Sequence, residues 1–192
     1  MKFDTGATMR LYRQTVEEFG LYPGLELDDT RMAALREHAG ATGAKMRAVR
    51  IVAASSVSER DLEQRLIHKG EDPVQAKEAV RWMSQLHLVD DRELADQIVA
   101  RCAARGYGKA RAKQMLYEKQ VPRELWEDAL NHFPDQTDYI LQYLRSKLSD
   151  PADRNQTRRV IDALMRRGHS YSQIRKALGV LEQDADEFWE DE

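Results

Sequence analysis

The feature that most constrains the fold is an internal repeat. Three stretches align without gaps: LIHKGEDPVQAKEAV from Leu66, LYEKQVPRELWEDAL from Leu116 and LMRRGHSYSQIRKAL from Leu164. The leucines that begin them lie 50 and then 48 residues apart. A period of this length is typical of proteins in which one small structural unit recurs and buries its apolar face against its neighbours.

Each copy predicts a helix, a turn and a second helix. A basic residue ends the first helix, where a cation is favoured by the helix dipole, and the turn follows at Gly70, Gln120 or Gly168. Asp72 and Ser170 are suited to cap the next helix, and Pro122 to occupy a first turn. The upstream segments IVAA, IVAR and ILQYL supply a third helix of each unit. The sequence therefore predicts a mainly all-α chain of three tandem three-helix repeats, with helices of about ten to fifteen residues.

The expected organisation is a lead segment, three repeats and an acidic tail. Gly6 separates two short apolar segments in the lead and predicts a small hairpin, and a helix is expected to begin after Asp28 or Asp29. The composition of the tail is typical of a disordered segment, in which Phe188 and Trp189 could dock on a basic face or a partner. The expected boundaries are 1–42 for the lead, 43–88, 89–133 and 134–180 for the repeats, and 181–192 for the tail.

Charge is distributed unevenly along the chain, although the net charge is only −3. The segments 101–123 and 154–178 each carry seven basic residues and one acidic residue. Two interpretations stay open: ordinary solvated helix faces, or a surface that contacts an acidic protein or nucleic acid. The candidate contact residues are Arg105, Lys109, Arg111, Lys113, Lys119 and Arg123 in the second repeat and Arg158, Arg159, Arg166, Arg167, Arg175 and Lys176 in the third.

Enzymatic and metal-binding classes are disfavoured. The segment GYGKARAK lacks the spacing of a phosphate loop and is better interpreted as a flexible connection between helices. Cys102 has no triad pattern around it, the histidines lack ligand spacing, and His169 is expected to be an exposed turn residue. We predict no catalytic residue, metal or cofactor, and expect Trp82 and Trp126 in the core rather than in base stacking.

The order of the motifs resembles the RecX family, bacterial modulators of the recombinase RecA. The first unit is similar in its Ala48, Ser58 and Asp61 pattern, followed by LIHKG. LHLVDDRELA, from Leu86, GYGKARAKQMLYEK, from Gly106, and RRGHSYSQI follow in the family's order, and LYPGLELDD resembles the family's segment before the repeats. The resemblance covers residues 21–178. Three positions depart from the family pattern: Ser55, where a basic residue is usual, Gln120 in place of a glycine, and His169 in place of an aromatic residue.

The resemblance implies a non-enzymatic regulator. Family members are elongated, curved arrays of three-helix units that lie in the groove of the RecA filament on DNA and inhibit ATP hydrolysis, strand exchange and coprotease action. We therefore expect RecA as the partner, with single- or double-stranded DNA as a further ligand of the basic faces. A helical module that binds DNA independently of RecA is the alternative. The lone cysteine and the absence of a long apolar run predict a cytoplasmic protein with no membrane contact. We also expect a monomer.

Overall fold

The computed structural model describes residues 2–4, 6–149 and 153–190, with only the backbone given for Glu182 and for residues 184–190. The chain forms two compact units, Met1–Asp90 and Asp91–Glu192. The secondary-structure elements of the described residues are helices, which confirms the predicted all-α fold class. No helix in the described part of the chain is long and apolar enough to cross a membrane.

The first unit contains the lead segment and the first three-helix group. An isolated antiparallel bridge joins Lys2 to Thr8 around Gly6, so the predicted hairpin is a single bridge with no strand among the described residues. The helices are α1 (Arg13–Glu18), α2 (Asp29–Ala54), α3 (Glu59–His68) and α4 (Pro73–Gln85).

Side-chain caps set where these helices begin. Asp28 accepts a hydrogen bond from the backbone N–H of Arg31, Ser58 from Asp61, and Asp72 from Val74 and Gln75. Each cap satisfies an N–H that lacks a partner inside its helix. Helix α2 is much longer than expected, because no proline or strong cap interrupts the sequence between Asp29 and Ala54.

The second unit contains two further helix groups. They consist of α5 (Asp91–Ala104), α6 (Lys109–Glu118), a 3₁₀ turn (Arg123–Leu125) with α7 (Trp126–Asn131), and then α8 (Thr137–Lys147), α9 (Arg154–Arg166) and α10 (Tyr171–Glu190). Helix α10 continues to Glu190, so the segment predicted as a disordered tail has a helical backbone to that residue. Its apolar residues recur at helical spacing, at Leu178, Leu181, Ala185 and Phe188, which explains the difference. The predicted docking of Phe188 and Trp189 lies outside the described side chains.

Each three-helix group has its own buried core. Leu62, Leu66 and Met83 lie in the first cluster, Leu116 in the second, and Leu164 in the third. Trp82 and Trp126 pack against the first and second clusters, as predicted. Separate cores are what a tandem repeat requires, because each unit then contributes its own apolar burial. The exact repeat boundaries stay a prediction.

The repeated turn has the same backbone geometry in all three copies. The residue at the turn has positive φ in each case: Gly70 at 89°, Gln120 at 55° and Gly168 at 92°. The following N–H then donates to the carbonyl of the leucine that opens the repeat, five residues earlier, at 3.1, 3.0 and 3.2 Å. This bond pattern satisfies carbonyls at the end of the preceding helix and fixes the start of the next.

Candidate functional site: the basic repeats and their joint

The candidate cations of the second repeat differ in how freely they reach solvent. Arg105, Lys109, Lys113 and Arg123 are exposed. Arg123 lies over the ring of Trp126, at 5.8 Å from its centroid. Exposed cations can contact a partner directly, whereas cations that interact with neighbouring residues of the chain contribute to the stability of the fold. The half-buried members are Arg111, whose Nη1 lies 3.7 Å from Oε1 of Glu118, and Lys119, which directly follows α6.

The third repeat presents most of its cations on the exposed sides of α9 and α10. In α9 the buried stripe of Val160 and Leu164 leaves the arginines on the opposite side. In α10 the buried residues are Ile174 and Ala177. The exposed cations here are Arg158, Arg159, Arg166, Arg175 and Lys176.

Arg167 has a different role, because its guanidinium is held between the second and third repeats. Its Nη2 donates to the carbonyl of Arg105 at 2.9 Å and its Nε to that of Gly106 at 3.4 Å. These carbonyls belong to the turn that follows α5, so Arg167 holds that turn against the end of α9. The guanidinium also lies 5.0, 5.6 and 5.9 Å from three tyrosine ring centroids, those of Tyr107, Tyr139 and Tyr143. Contact with aromatic faces favours a cation. Arg167 is therefore first a structural residue: it holds the turn after α9 against the turn before α6, a contact that we call the joint.

His169 is buried in the same joint, which corrects the prediction of an exposed turn residue. Only 4% of its surface is exposed, and its ring stacks on Tyr139 with centroids 5.8 Å apart. Its Nε2 lies 3.1 Å from the carbonyl of Gly106, to which it donates, and its Nδ1 has no partner among the described residues. Burial lowers the pKa of His169 below its ordinary value; the Gly106 hydrogen bond opposes this, and the charge of Arg167 adds to it.

Two glycine-containing turns meet at the centre of the joint. The N–H of Gly108 donates to the carbonyl of Arg167 at 3.0 Å, and that of Ala110 to Gly168 at 3.2 Å. Gly108 precedes α6 and provides no side-chain cap, so carbonyls of the turn after α9 accept from the N–H groups at the start of α6 instead. The positive end of one helix thereby meets the negative end of another. The segment predicted as a flexible connection is a packed contact.

The joint was not foreseen from the sequence, although a signal was present. The segment Gly106–Tyr107–Gly108 places two glycines before a helix that has no capping side chain. A β-carbon at Gly106 would overlap the ring of Tyr139, and one at Gly108 would overlap the backbone of Gly168. Close backbone approach, rather than flexibility, is what these glycines provide.

The described residues include no cluster suited to a metal ion, and Cys102 is buried among them. No three His, Cys, Asp or Glu side chains among them are grouped so as to hold a metal ion. Cys102 is buried with its Sγ 3.3 Å from Sδ of Met115, and burial raises the pKa of its thiol. A raised pKa favours the thiol over the nucleophilic thiolate, which agrees with Cys102 acting as a core residue.

Comparisons with known proteins agree with this architecture. The family model described as "RecX, second three-helix domain" matches residues 90–130. Two solved structures share the fold, each with a TM-score of 0.68. "Crystal structure of regulatory protein RecX" is 19% identical and covers 91% of both chains. "Crystal structure of RecX from Lactobacillus salivarius" is 18% identical and covers 75% of this chain and 97% of its own.

Two relatives by sequence are each named "Regulatory protein RecX". That of Halorhodospira halophila is 28% identical over 153 residues, which are 76% of this chain and 94% of the relative. That of Chlorobaculum tepidum is 30% identical over 137 residues, which are 70% of this chain and 85% of the relative. Identity of this level over most of both chains, together with the shared fold, shows that this chain belongs to the RecX family of regulatory proteins.

Proposed function

We propose that this protein binds RecA and its nucleoprotein filament and inhibits the ATPase, strand-exchange and coprotease activities of RecA. Membership of a family of regulatory proteins supports a regulator rather than an enzyme. The observation that carries the proposal is the exposure of nine of its candidate cations on the second and third repeats. Such a surface favours association with an acidic protein surface or with the phosphates of filament DNA.

The joint between the two repeats supports the same function. A polymer such as a filament repeats its binding surface at a fixed spacing, so a ligand that contacts it at two places must hold those places at a fixed distance. The bonds of Arg167, His169 and Gly108 hold the two basic repeats to one another within the second unit. Preorganisation of this kind lowers the entropy lost on binding.

The test is RecA ATP hydrolysis on single-stranded DNA, titrated with this protein. We expect inhibition at stoichiometric or lower amounts, together with loss of LexA cleavage and strand exchange. The charge reversals Lys113→Glu and Arg166→Glu, both at exposed positions outside the joint, should weaken inhibition together. Arg167 is unsuitable for this test because its loss would disrupt the joint itself.

A matched control reverses two exposed cations of α4, Lys77→Glu and Arg81→Glu. This pair changes the net charge equally and should leave inhibition unchanged. No inhibition at stoichiometric excess of the unmodified protein would refute the proposal. If both variants lose inhibition equally, net charge rather than the basic repeats is responsible.

Action on DNA without RecA is the alternative function, because the same cations could bind phosphates directly. It predicts tight binding to bare DNA that weakens steeply with salt. If binding to bare DNA is weak and unaffected by Lys113→Glu and Arg166→Glu, while RecA inhibition is lost, the alternative is excluded.

A further inference from the structure

The first unit contains a basic cleft that the charge pattern of the sequence does not reveal. It has a volume of about 420 Å³ and lies between the carboxyl-terminal parts of α2 and α3. Segments 101–123 and 154–178 stand out by their number of basic residues, whereas Arg65 and Lys69 lie among acidic residues in the sequence. Only the fold brings the cations of the cleft together. The four cations that line the cleft are Arg47, Arg50, Arg65 and Lys69.

Helix geometry explains why these side chains share one cleft. Arg47 and Arg50 lie three residues apart on α2, and Arg65 and Lys69 lie four apart at the end of α3. Residues three and four apart occupy the same face of a helix. Both helices therefore direct a pair of cations toward the cleft that lies between them.

Acidic neighbours neutralise only two of the four charges. Arg47 pairs with Glu71, whose side chain is 11% exposed. Arg65 donates to Asp61 at 2.8 Å and to the hydroxyl of Ser55 at 3.4 Å, which fixes its guanidinium at the wall of the cleft. Within the described ranges, Arg50 and Lys69 have no ion pair.

Of the two cations without an ion pair, Arg50 and Lys69, only one lies where the helix dipole stabilises a positive charge. Lys69 directly follows the last residue of α3, where a cation is stabilised by the carbonyl end of the helix. Arg50 precedes the end of α2 at Ala54 by a full turn, and it has no comparable partner. Holding Arg50 and Lys69 unpaired beside two further cations is unfavourable unless another anion joins them. The excess charge therefore indicates a ligand with anionic oxygens.

We propose that this cleft binds the phosphate groups of a single nucleic-acid strand without reading its bases. Arginine forks and a lysine are the groups that proteins use for phosphate. The lining contains no aromatic side chain on which a base could stack; its apolar part is Ile51 and Ala54. An acidic protein surface is less suited to this cleft, because stable protein interfaces have a larger apolar centre than two aliphatic residues offer.

The experiment measures binding of fluorescent single-stranded oligonucleotides to the full chain by anisotropy over a series of salt concentrations. Two of the charges are removed together in the variant Arg50→Gln with Lys69→Gln. Each lost phosphate contact lowers the slope of log affinity against log salt by about 0.7 for single strands, so the expected decrease is about 1.4. The decrease should be the same for homopolymer and mixed-sequence oligonucleotides.

The matched control removes two exposed cations of the same unit that do not line the cleft, Arg60→Gln with Lys77→Gln. Its slope should equal that of the unmodified protein, and circular dichroism should show that both variants retain their helix content. Equal slopes for the two variants, an unchanged slope for the cleft variant, or no measurable binding of the unmodified chain would each overturn the proposal.

The measurement contains no RecA, so its outcome is separate from that of the proposed function. If the cleft variant binds DNA normally but loses RecA inhibition, the cleft contacts an acidic protein surface and the phosphate proposal is wrong. If the variant loses DNA binding but the unmodified protein does not inhibit RecA, the phosphate cleft stands and the proposed function fails.

Discussion

Three glycine-to-alanine substitutions separate backbone strain from packing at the joint. Gly70 and Gly168 occupy equivalent turns with nearly equal φ, 89° and 92°. A β-carbon at Gly70 would meet no atom within 4 Å, whereas one at Gly168 would overlap the backbone of Arg111. Gly108 is the converse case: its φ of −85° is ordinary, but its β-carbon would overlap the carbonyl of Gly168.

The expected losses of stability follow from these differences. Gly70→Ala should cost about 1–2 kcal/mol, the strain of a left-handed residue. Gly108→Ala carries no such strain and should cost about 1–3 kcal/mol through overpacking. Gly168→Ala combines both effects and should be the most destabilising of the three. The free energy of unfolding is measured by urea denaturation followed by far-ultraviolet circular dichroism.

Amide hydrogen exchange then locates each effect. Gly70→Ala should lower protection in α3 and α4 only, and Gly108→Ala in the helices of the second unit. If Gly108→Ala is neutral and Gly168→Ala costs no more than Gly70→Ala, the two turns are not in close contact and the described joint is wrong. A loss of RecA inhibition by Gly108→Ala, at a temperature where it remains folded, would connect the joint to the proposed function.

Two further predictions concern the same turns. Because burial lowers the folded-state pKa of His169, the unfolded chain binds a proton more readily, and stability should be lost as pH falls through and below the ordinary value of 6.5. Urea denaturation across this pH range should show a smaller loss of stability for His169→Phe than for the unmodified protein. An equal loss would contradict the burial of His169. Gln120 holds a left-handed conformation at φ 55°, so Gln120→Gly should stabilise the protein by up to about 1 kcal/mol. The gain would be measured as a higher midpoint of urea denaturation. A lower midpoint would show that the contacts of the glutamine outweigh its backbone strain.

The sequence was informative where local chemistry decides the structure. Ser170 and Gln173 form the predicted capping box: Oγ of Ser170 accepts from the N–H of Gln173 at 3.3 Å, and Oε1 of Gln173 accepts from the N–H of Ser170 at 3.1 Å. Turn residues, caps and apolar stripes act over a few positions and are visible in one sequence. The three repeats could be predicted because each is built from such signals.

The candidate site was less predictable because it depends on contacts across long stretches of sequence. Arg167 contacts carbonyls 61 and 62 residues away, and its three tyrosines come from α8 and from the turn before α6. A basic residue followed by glycine is the usual end of a helix, so the pattern gave no reason to separate Arg167 from its exposed neighbour Arg166. The number and the sign of the charged residues predicted a basic surface. Only the burial of each residue in the structure distinguishes the cations that stabilise the fold from those that can contact a partner.

The position after each turn shows how one backbone motif serves three side-chain environments. Glu71, Val121 and His169 are equivalent, and each donates the same backbone hydrogen bond to the leucine five residues earlier. Glu71 pairs with Arg47 beside the basic cleft, Val121 is buried in the core of the second repeat, and His169 closes the joint. The common geometry directs all three side chains inward, so identity at this position determines what each repeat packs against. A substitution there should therefore alter contacts between helices while leaving the helix–turn–helix itself intact.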